Sequence, residues 1–142
     1  MAVFDFDFPD NMFDDVLNIF DETAPKMIDE ALPIYESAVK SELQPHRDTG
    51  ELISSIKCKK AKKTVNGAYI GYLTAEGAST KSTYTRENGK VEPFRNYQKA
   101  LALEYGNSHQ PARPFMQSAV NSSEDKVLEK MQEVFNREVE KQ

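Results

Sequence analysis

Residues 101–120, LALEYGNSHQPARPFMQSAV, join a short apolar run to a tight loop and then to a helix start. Residues 106–108 (GNS) favour a turn, because glycine and asparagine tolerate positive φ. Pro111 and Pro114 each fix φ and push the residue before them into an extended conformation. Pro114 also suits the first position of a helix, where a missing N–H is harmless. We therefore expect a stiff loop that ends in a helix.

Arg113 lies at this predicted helix start, where the positive end of the helix dipole disfavours a second positive charge. Glu104 is the only charged residue in the apolar run before the loop. An arginine and a carboxylate can form two parallel hydrogen bonds. We therefore expect Arg113 to bind Glu104, or carbonyl oxygens at the bend, and to hold the two ends of the loop together.

Two blocks of the sequence carry a resemblance to a known family. Residues 49–56 read TGELISSI, and residues 104–108 (EYGNS) are followed by ARPFM at residues 112–116. The blocks are similar to two signatures of the small tail-completion, or head-to-tail joining, proteins of long-tailed bacteriophages, the gene-product-ten-like family. The resemblance covers roughly residues 12–140. The residues of this chain that match the two family signatures are Gly50, Leu52, Ile56, Glu104, Tyr105, Gly106, Arg113, Pro114 and Phe115.

The resemblance implies a non-enzymatic, structural protein of the virion neck. Such a subunit would form a ring of six copies between the head connector and the tail tube. The implied partners are other copies of the chain, the tail tube protein and a head connector or closure protein, with DNA passing through the lumen. Assembly would take place in the host cytoplasm. A closed ring of this kind needs head-to-tail contacts between subunits.

The composition is that of one globular domain, residues 1–142. Hydrophobic residues make up 39% and charged residues 29%, and the net charge is −5, which suits a polar globular protein. No apolar run reaches membrane-spanning length, and no secretory signal begins the sequence, so we expect the chain to stay in the cytoplasm. Cys58 is the single cysteine, which excludes an internal disulfide and a CxxC zinc site.

The acidic and basic residues are unevenly divided. Residues 1–56 carry a net charge of −10 and residues 57–142 a net charge of +5. This asymmetry fits solvated faces of a monomer, or acid-to-base contacts between neighbours in a ring.

An aromatic arm, residues 1–10, begins the chain. Residues 3–8 (VFDFDF) alternate with a period of two, which places Phe4, Phe6 and Phe8 on one face of an extended strand. Pro9 ends the pattern. Two interpretations are open: the strand covers the core of its own subunit, or it adds to a sheet edge or groove of a neighbouring subunit.

Long helical stretches are predicted at both ends of the rest of the chain. From residue 11 to residue 43, apolar residues recur every three or four positions and form one stripe. We expect Pro25 to start a second helix capped by Thr23, and Pro33 to kink that helix. After Pro114, a C-terminal helix is expected to pause at residues 121–123 and to restart.

A β-hairpin is predicted over residues 57–74. Asn66-Gly67 is a strong hairpin turn signal, and residues 68–74 are rich in aromatic and branched side chains. Residues 75–96 lack a sustained period, so we expect a long flexible loop there. Residues 97–105 suit a helix that ends in a strand. The predicted fold is α+β, with a small antiparallel sheet packed against a long N-terminal helical segment and a C-terminal helix.

Five lysines crowd the first strand of this hairpin: Lys57, Lys59, Lys60, Lys62 and Lys63. Lysines on an edge strand discourage aggregation between sheet edges. The same cluster suits contact with DNA phosphates or with an acidic neighbour, and it supports an alternative function as a small regulatory nucleic-acid-binding protein.

One residue suggests a catalytic role. Cys58 lies between lysines, which lower the pKa of a neighbouring thiol, and a small hydrolase that uses Cys58 is a third hypothesis. However, neither His46 nor His109 has a recognisable catalytic spacing. The sequence also contains no Gly-rich phosphate loop, no metal-ligand spacing and no Ser/His/Asp arrangement. We therefore expect no catalytic residue, no metal site and no cofactor.

Overall fold

The structure is a computed structural model that describes residues 12–141. The predicted α+β class is confirmed, with long helices at both ends of the described chain and two antiparallel hairpins between them. Phe4, Phe6 and Phe8 lie outside the described residues, so both interpretations of the arm stay predictions. The elements in chain order are α1 (Met12–Leu43), a 3-10 turn (Gln44–His46), α2 (Glu51–Ser55), β1 (Ile56–Lys63), β2 (Tyr69–Ala75), β3 (Ala78–Thr85), β4 (Val91–Arg95), α3 (Asn96–Tyr105) and α4 (Phe115–Glu140).

Helix α1 is one uninterrupted helix, so the prediction that Pro25 starts a second helix is wrong. Thr23, the expected cap, is buried in the middle of α1. A proline inside a helix removes a backbone donor and costs about 3 kcal/mol. Here the apolar stripe continues on both sides of Pro25 and Pro33, and the burial of Ala31, Val39 and Leu43 in the second half of the helix offsets that cost.

Helix α4 is also continuous, and the predicted pause at residues 121–123 is absent. The hydroxyls of Ser122 and Ser123 donate to the Ala119 carbonyl oxygen at 3.2 and 2.6 Å, so they bond back onto the helix instead of capping a new one. α4 runs antiparallel to α1. Lys26, in the first half of α1, binds Glu138 near the C-terminal end of α4 at 2.8 Å. Within residues 12–141, no helix is both long and apolar enough to cross a membrane.

The core lies where α1, β1 and the start of α4 meet. Leu52, Leu73 and Leu103 pack around its edge, so α2, β2 and α3 are attached to the same cluster. The motif blocks therefore sit beside the most buried part of the molecule. The buried members are Val39, Leu43, Ile56, Phe115 and Ala119.

The β1–β2 hairpin confirms the prediction for residues 57–74. Ile56 pairs with Ala75 at one end and Lys63 with Tyr69 at the other, with an irregularity between Lys59 and Lys62. On the α1 side, a Cβ at Gly71 would come within 2.8 Å of Leu32, so the absence of a side chain allows the strand to lie directly on the helix.

The β3–β4 hairpin corrects the prediction of a long loop at residues 75–96. Its turn is Asn88-Gly89, where the Arg86 N–H donates to the Lys90 carbonyl oxygen at 2.8 Å. The strands are polar, so they lack the alternation by which strands are recognised in a sequence. The predicted single sheet is thus two separate two-stranded sheets. Residues 97–105 belong entirely to α3, without a terminal strand.

Candidate functional site

The two signature blocks, far apart in the sequence, meet at one end of the molecule. Gly50 and Leu52 of the first block line a cleft of about 330 Å³ together with Asn107 of the second block. Ile56 and Phe115 lie in the same core cluster, each only 3% exposed. The blocks therefore form one structural unit.

The loop between α3 and α4 is compact because Gly106 allows a very close approach. Its φ is +74°, and a Cβ there would lie 2.6 Å from the Ala112 nitrogen. The side-chain oxygen of Asn107 accepts hydrogen bonds from the backbone N–H groups of His109 and Gln110 at 2.8 and 3.0 Å. The Arg113 N–H donates to the Leu103 carbonyl oxygen at 2.6 Å and closes the loop. This confirms a tight loop between residues 106 and 114.

Glu104 caps helix α4 instead of pairing with Arg113. Its carboxylate accepts hydrogen bonds from the backbone N–H groups of Met116 at 2.8 Å and Gln117 at 3.2 Å. A carboxylate at this position binds N–H groups that have no partner within the helix and also complements the helix dipole. The predicted Glu104–Arg113 ion pair is therefore wrong, because the helix start competes for the same carboxylate. Pro114 directly precedes the helix as its N-cap residue.

The remaining motif side chains face solvent. Tyr105 is 76% exposed, and Arg113 is exposed with no side-chain hydrogen bond or ion pair to any residue in the range 12–141. Tyr97 and Leu101 are also exposed, and with Tyr105 they recur every four residues along one face of α3. Tyr97 and Leu101 were not predicted as site residues, although their helical spacing is readable in the sequence. This apolar stripe continues the exposed part of the motif.

Glu51, in the first block, fastens the second hairpin to α2. Gly50 precedes it with a φ of +84° at the N-cap of α2. The Glu51 carboxylate accepts hydrogen bonds from the Ser79 hydroxyl at 2.7 Å, the Thr80 N–H at 3.0 Å and the Thr80 hydroxyl. The hydrogen bonds from Thr80 and Ser79 lower the pKa of Glu51 to about 2. Nothing in the sequence predicts that Glu51 holds the second hairpin, because its partners Ser79 and Thr80 are identified only once β3 is placed.

The lysine cluster is divided between paired and unpaired side chains. Lys59 binds Glu76, and Lys63 binds Asp21 at 2.9 Å. Two more carboxylates approach β1 from α1. Asp29 accepts a hydrogen bond from the Ala61 N–H at 2.8 Å, and Glu36 accepts one from the Cys58 thiol. Two of the five lysines are thus paired with carboxylates, and Glu36 also binds Lys40 of α1 at 2.6 Å. The exposed lysines without an ion pair in the described chain are Lys57, Lys60 and Lys62.

Cys58 has the wrong electrostatics for a nucleophile. Its thiol donates to the Glu36 carboxylate at 2.8 Å. Burial, followed by the hydrogen bond and negative charge of Glu36, raises the pKa of Cys58 to about 12. The thiol therefore stays protonated near neutral pH, contrary to the effect expected from its lysine neighbours. Within residues 12–141, no three His, Cys, Asp or Glu side chains converge in a way that could hold a metal ion.

Comparison of the chain with protein-family models, curated proteins and solved structures gave no match in any of the three.

Proposed function

We propose that this chain is a structural, non-enzymatic subunit of the neck of a long-tailed phage or prophage. In this proposal six copies form a ring that binds the tail tube protein on one side and a head connector or closure protein on the other, with DNA in the lumen. The subunit is made in the host cytoplasm and ends in the virion.

The observation that carries the proposal is the division of the signature into a buried and an exposed half. Glu104, Gly106 and Phe115 build the loop and join it to the core. The side chains of Tyr105 and Arg113 take no part in that construction and face solvent. A rigid loop that presents an aromatic ring and an arginine has the residue types enriched at the centres of protein interfaces.

Native mass spectrometry of the purified chain, alone and mixed with the tail tube protein encoded nearest to its gene, tests this proposal. We expect a ring of six copies in the mixture. Arg113→Ala should prevent that assembly while changing the free energy of unfolding by less than about 1 kcal/mol, because an exposed side chain contributes little to folding. Lys126→Ala on the exposed surface of α4 is the matched control and should assemble normally.

A chain that stays monomeric with the tube protein, or an Arg113→Ala variant that assembles like the wild type, would overturn the proposal. The alternative nucleic-acid-binding function would then be tested by measuring DNA affinity against salt concentration, with a steep decrease supporting it. The ion pairs of Lys59 with Glu76 and of Lys63 with Asp21 argue against that alternative, because they cancel part of the positive field that phosphates require.

A further inference from the structure

An apolar groove runs between the first turns of α1 and the last turns of α4. Its volume is about 660 Å³, and its lining includes Val16, Phe20 and Met27 from α1 and Phe135 and Val139 from α4. Val16 is 55% exposed, Phe20 45% and Phe135 42%. An open row of large apolar side chains of this kind marks a binding surface.

We propose that residues 3–8 of the same chain fold back and occupy this groove. The groove begins at Val16, one helical turn after Met12, and extends about 17 Å along α1 to Met27 at 1.5 Å per residue. An extended chain covers at most about 14 Å between Phe8 and Met12. The segment that precedes α1 can therefore reach the groove without displacing any described element.

The pattern of the segment matches the groove in length and chemistry. In an extended strand, alternate residues share one face, so Phe4, Phe6 and Phe8 would project from the same face and span about 13 Å. That row of rings would lie against an apolar lining, while Asp5 and Asp7 on the opposite face would remain in water.

The direction of the chain favours occupation by the same subunit over a neighbouring one. Residues 9–11 (PDN), which link the segment to α1, are all turn-forming residues and suit the reversal that folding back requires. A short link also holds the segment at an effective concentration of about millimolar or more next to its own groove. The inference does not depend on the proposed neck function.

A tryptophan at position 6 reports on this contact, because the wild-type chain contains no tryptophan. In the full-length Phe6→Trp chain we expect blue-shifted emission and restricted quenching by acrylamide, both independent of protein concentration. Adding Val16→Asp should shift the emission to that of a tryptophan in water. Leu17→Asp is the matched control, since Leu17 is 58% exposed on the same turn of α1 but lies outside the groove.

Three results would overturn the inference. The first is water-like emission from Phe6→Trp in the otherwise unchanged chain. The second is an equal shift with Val16→Asp and Leu17→Asp while circular dichroism shows both variants folded. The third is a blue shift that develops only as protein concentration rises, which would assign the segment to the groove of a second copy.

Discussion

The two hairpins of this protein share a turn and differ in what holds them. Asn66-Gly67 closes the first and Asn88-Gly89 the second, and both glycines have a φ of +81°. The β1–β2 hairpin lies on α1, with Gly71 pressed against Ile28 and Leu32. The turn chemistry is therefore sufficient to form a hairpin, but it does not decide how the hairpin is attached.

The β3–β4 hairpin is attached by polar contacts. Ser79 is its only buried residue within the described chain, and it binds the Glu51 carboxylate. Asn96 follows β4, and its side-chain nitrogen donates to the Glu76 carbonyl oxygen at 2.9 Å. The tilted rings of Tyr84 and Phe94 contact each other, with centroids 5.0 Å apart, rather than packing on the core. Because little apolar area is buried, we expect this hairpin to open without unfolding of the rest of the protein.

The largest effect is expected from Gly71→Val in the first hairpin. The new side chain would collide with Ile28 and Leu32 and separate β2 from α1. Overpacking of this kind should lower the free energy of unfolding by about 1–3 kcal/mol, measured by chemical denaturation.

Thr83→Val is the control in the second hairpin, because Thr83 is an exposed strand residue paired with Pro93. Its effect on the free energy of unfolding should stay within about 0.5 kcal/mol. A Gly71→Val variant as stable as the wild type would show that the first hairpin does not pack on α1 as described.

A smaller effect distinguishes the two hairpins by a matched pair of substitutions. Gly67→Ala and Gly89→Ala each place a Cβ in open space at the same positive φ, so each introduces the same local strain of roughly 1–2 kcal/mol. Only Gly67→Ala should lower the global free energy of unfolding by that amount. Gly89→Ala should instead accelerate hydrogen exchange of the β3–β4 amides while the global value is unchanged. Equal global losses would mean that both hairpins unfold with the core.

The same comparison explains how much could be predicted from sequence. The first hairpin was predicted because its turn is followed by a strand of aromatic and branched residues. The second has the same Asn-Gly signal, but β3 reads ASTKSTYT, with serine and threonine where apolar residues would mark a buried face. Strand propensity without burial does not produce the periodicity that the prediction relied on.

At the candidate site, the tight loop could be predicted, but the hydrogen-bond partners of Glu104 could not. Glycine, asparagine and proline define a loop through local backbone preferences, which are readable from residues 106–114. The partner of Glu104 depends on which donor lies nearest in three dimensions. The N–H groups of Met116 and Gln117 lie within hydrogen-bonding distance, while the Arg113 side chain faces solvent.

The smallest global effect, and the most local one, is expected from Glu51→Gln. The amide would weaken the hydrogen bonds from Ser79 and Thr80, because bonds to a neutral acceptor are weaker than bonds to a carboxylate. Amides of β3 and β4 should therefore exchange faster near neutral pH, while those of β1 and β2 keep their wild-type rates. Hydrogen exchange followed by NMR measures both hairpins in one sample.

The pH dependence of this attachment has a definite sign. The pKa of Glu51 is lowered from 4.5 to about 2 by its hydrogen bonds with Thr80 and Ser79, so folding of the hairpin onto α2 favours the ionised form. The resulting stabilisation is fully present above about pH 4.5 and is lost as the pH falls through about 2. In the wild type, the chemical shift of the Thr80 amide should report a titration near the lower value, and the β3–β4 contacts with α2 should weaken there. In Glu51→Gln the shift should show no such step, which separates Glu51 from the other carboxylates that titrate in acid. A Thr80 amide that titrates near pH 4.5 in the wild type would mean that Glu51 does not hold the hairpin. The β3–β4 hairpin would then lack the main polar contact that distinguishes its attachment from that of the β1–β2 hairpin.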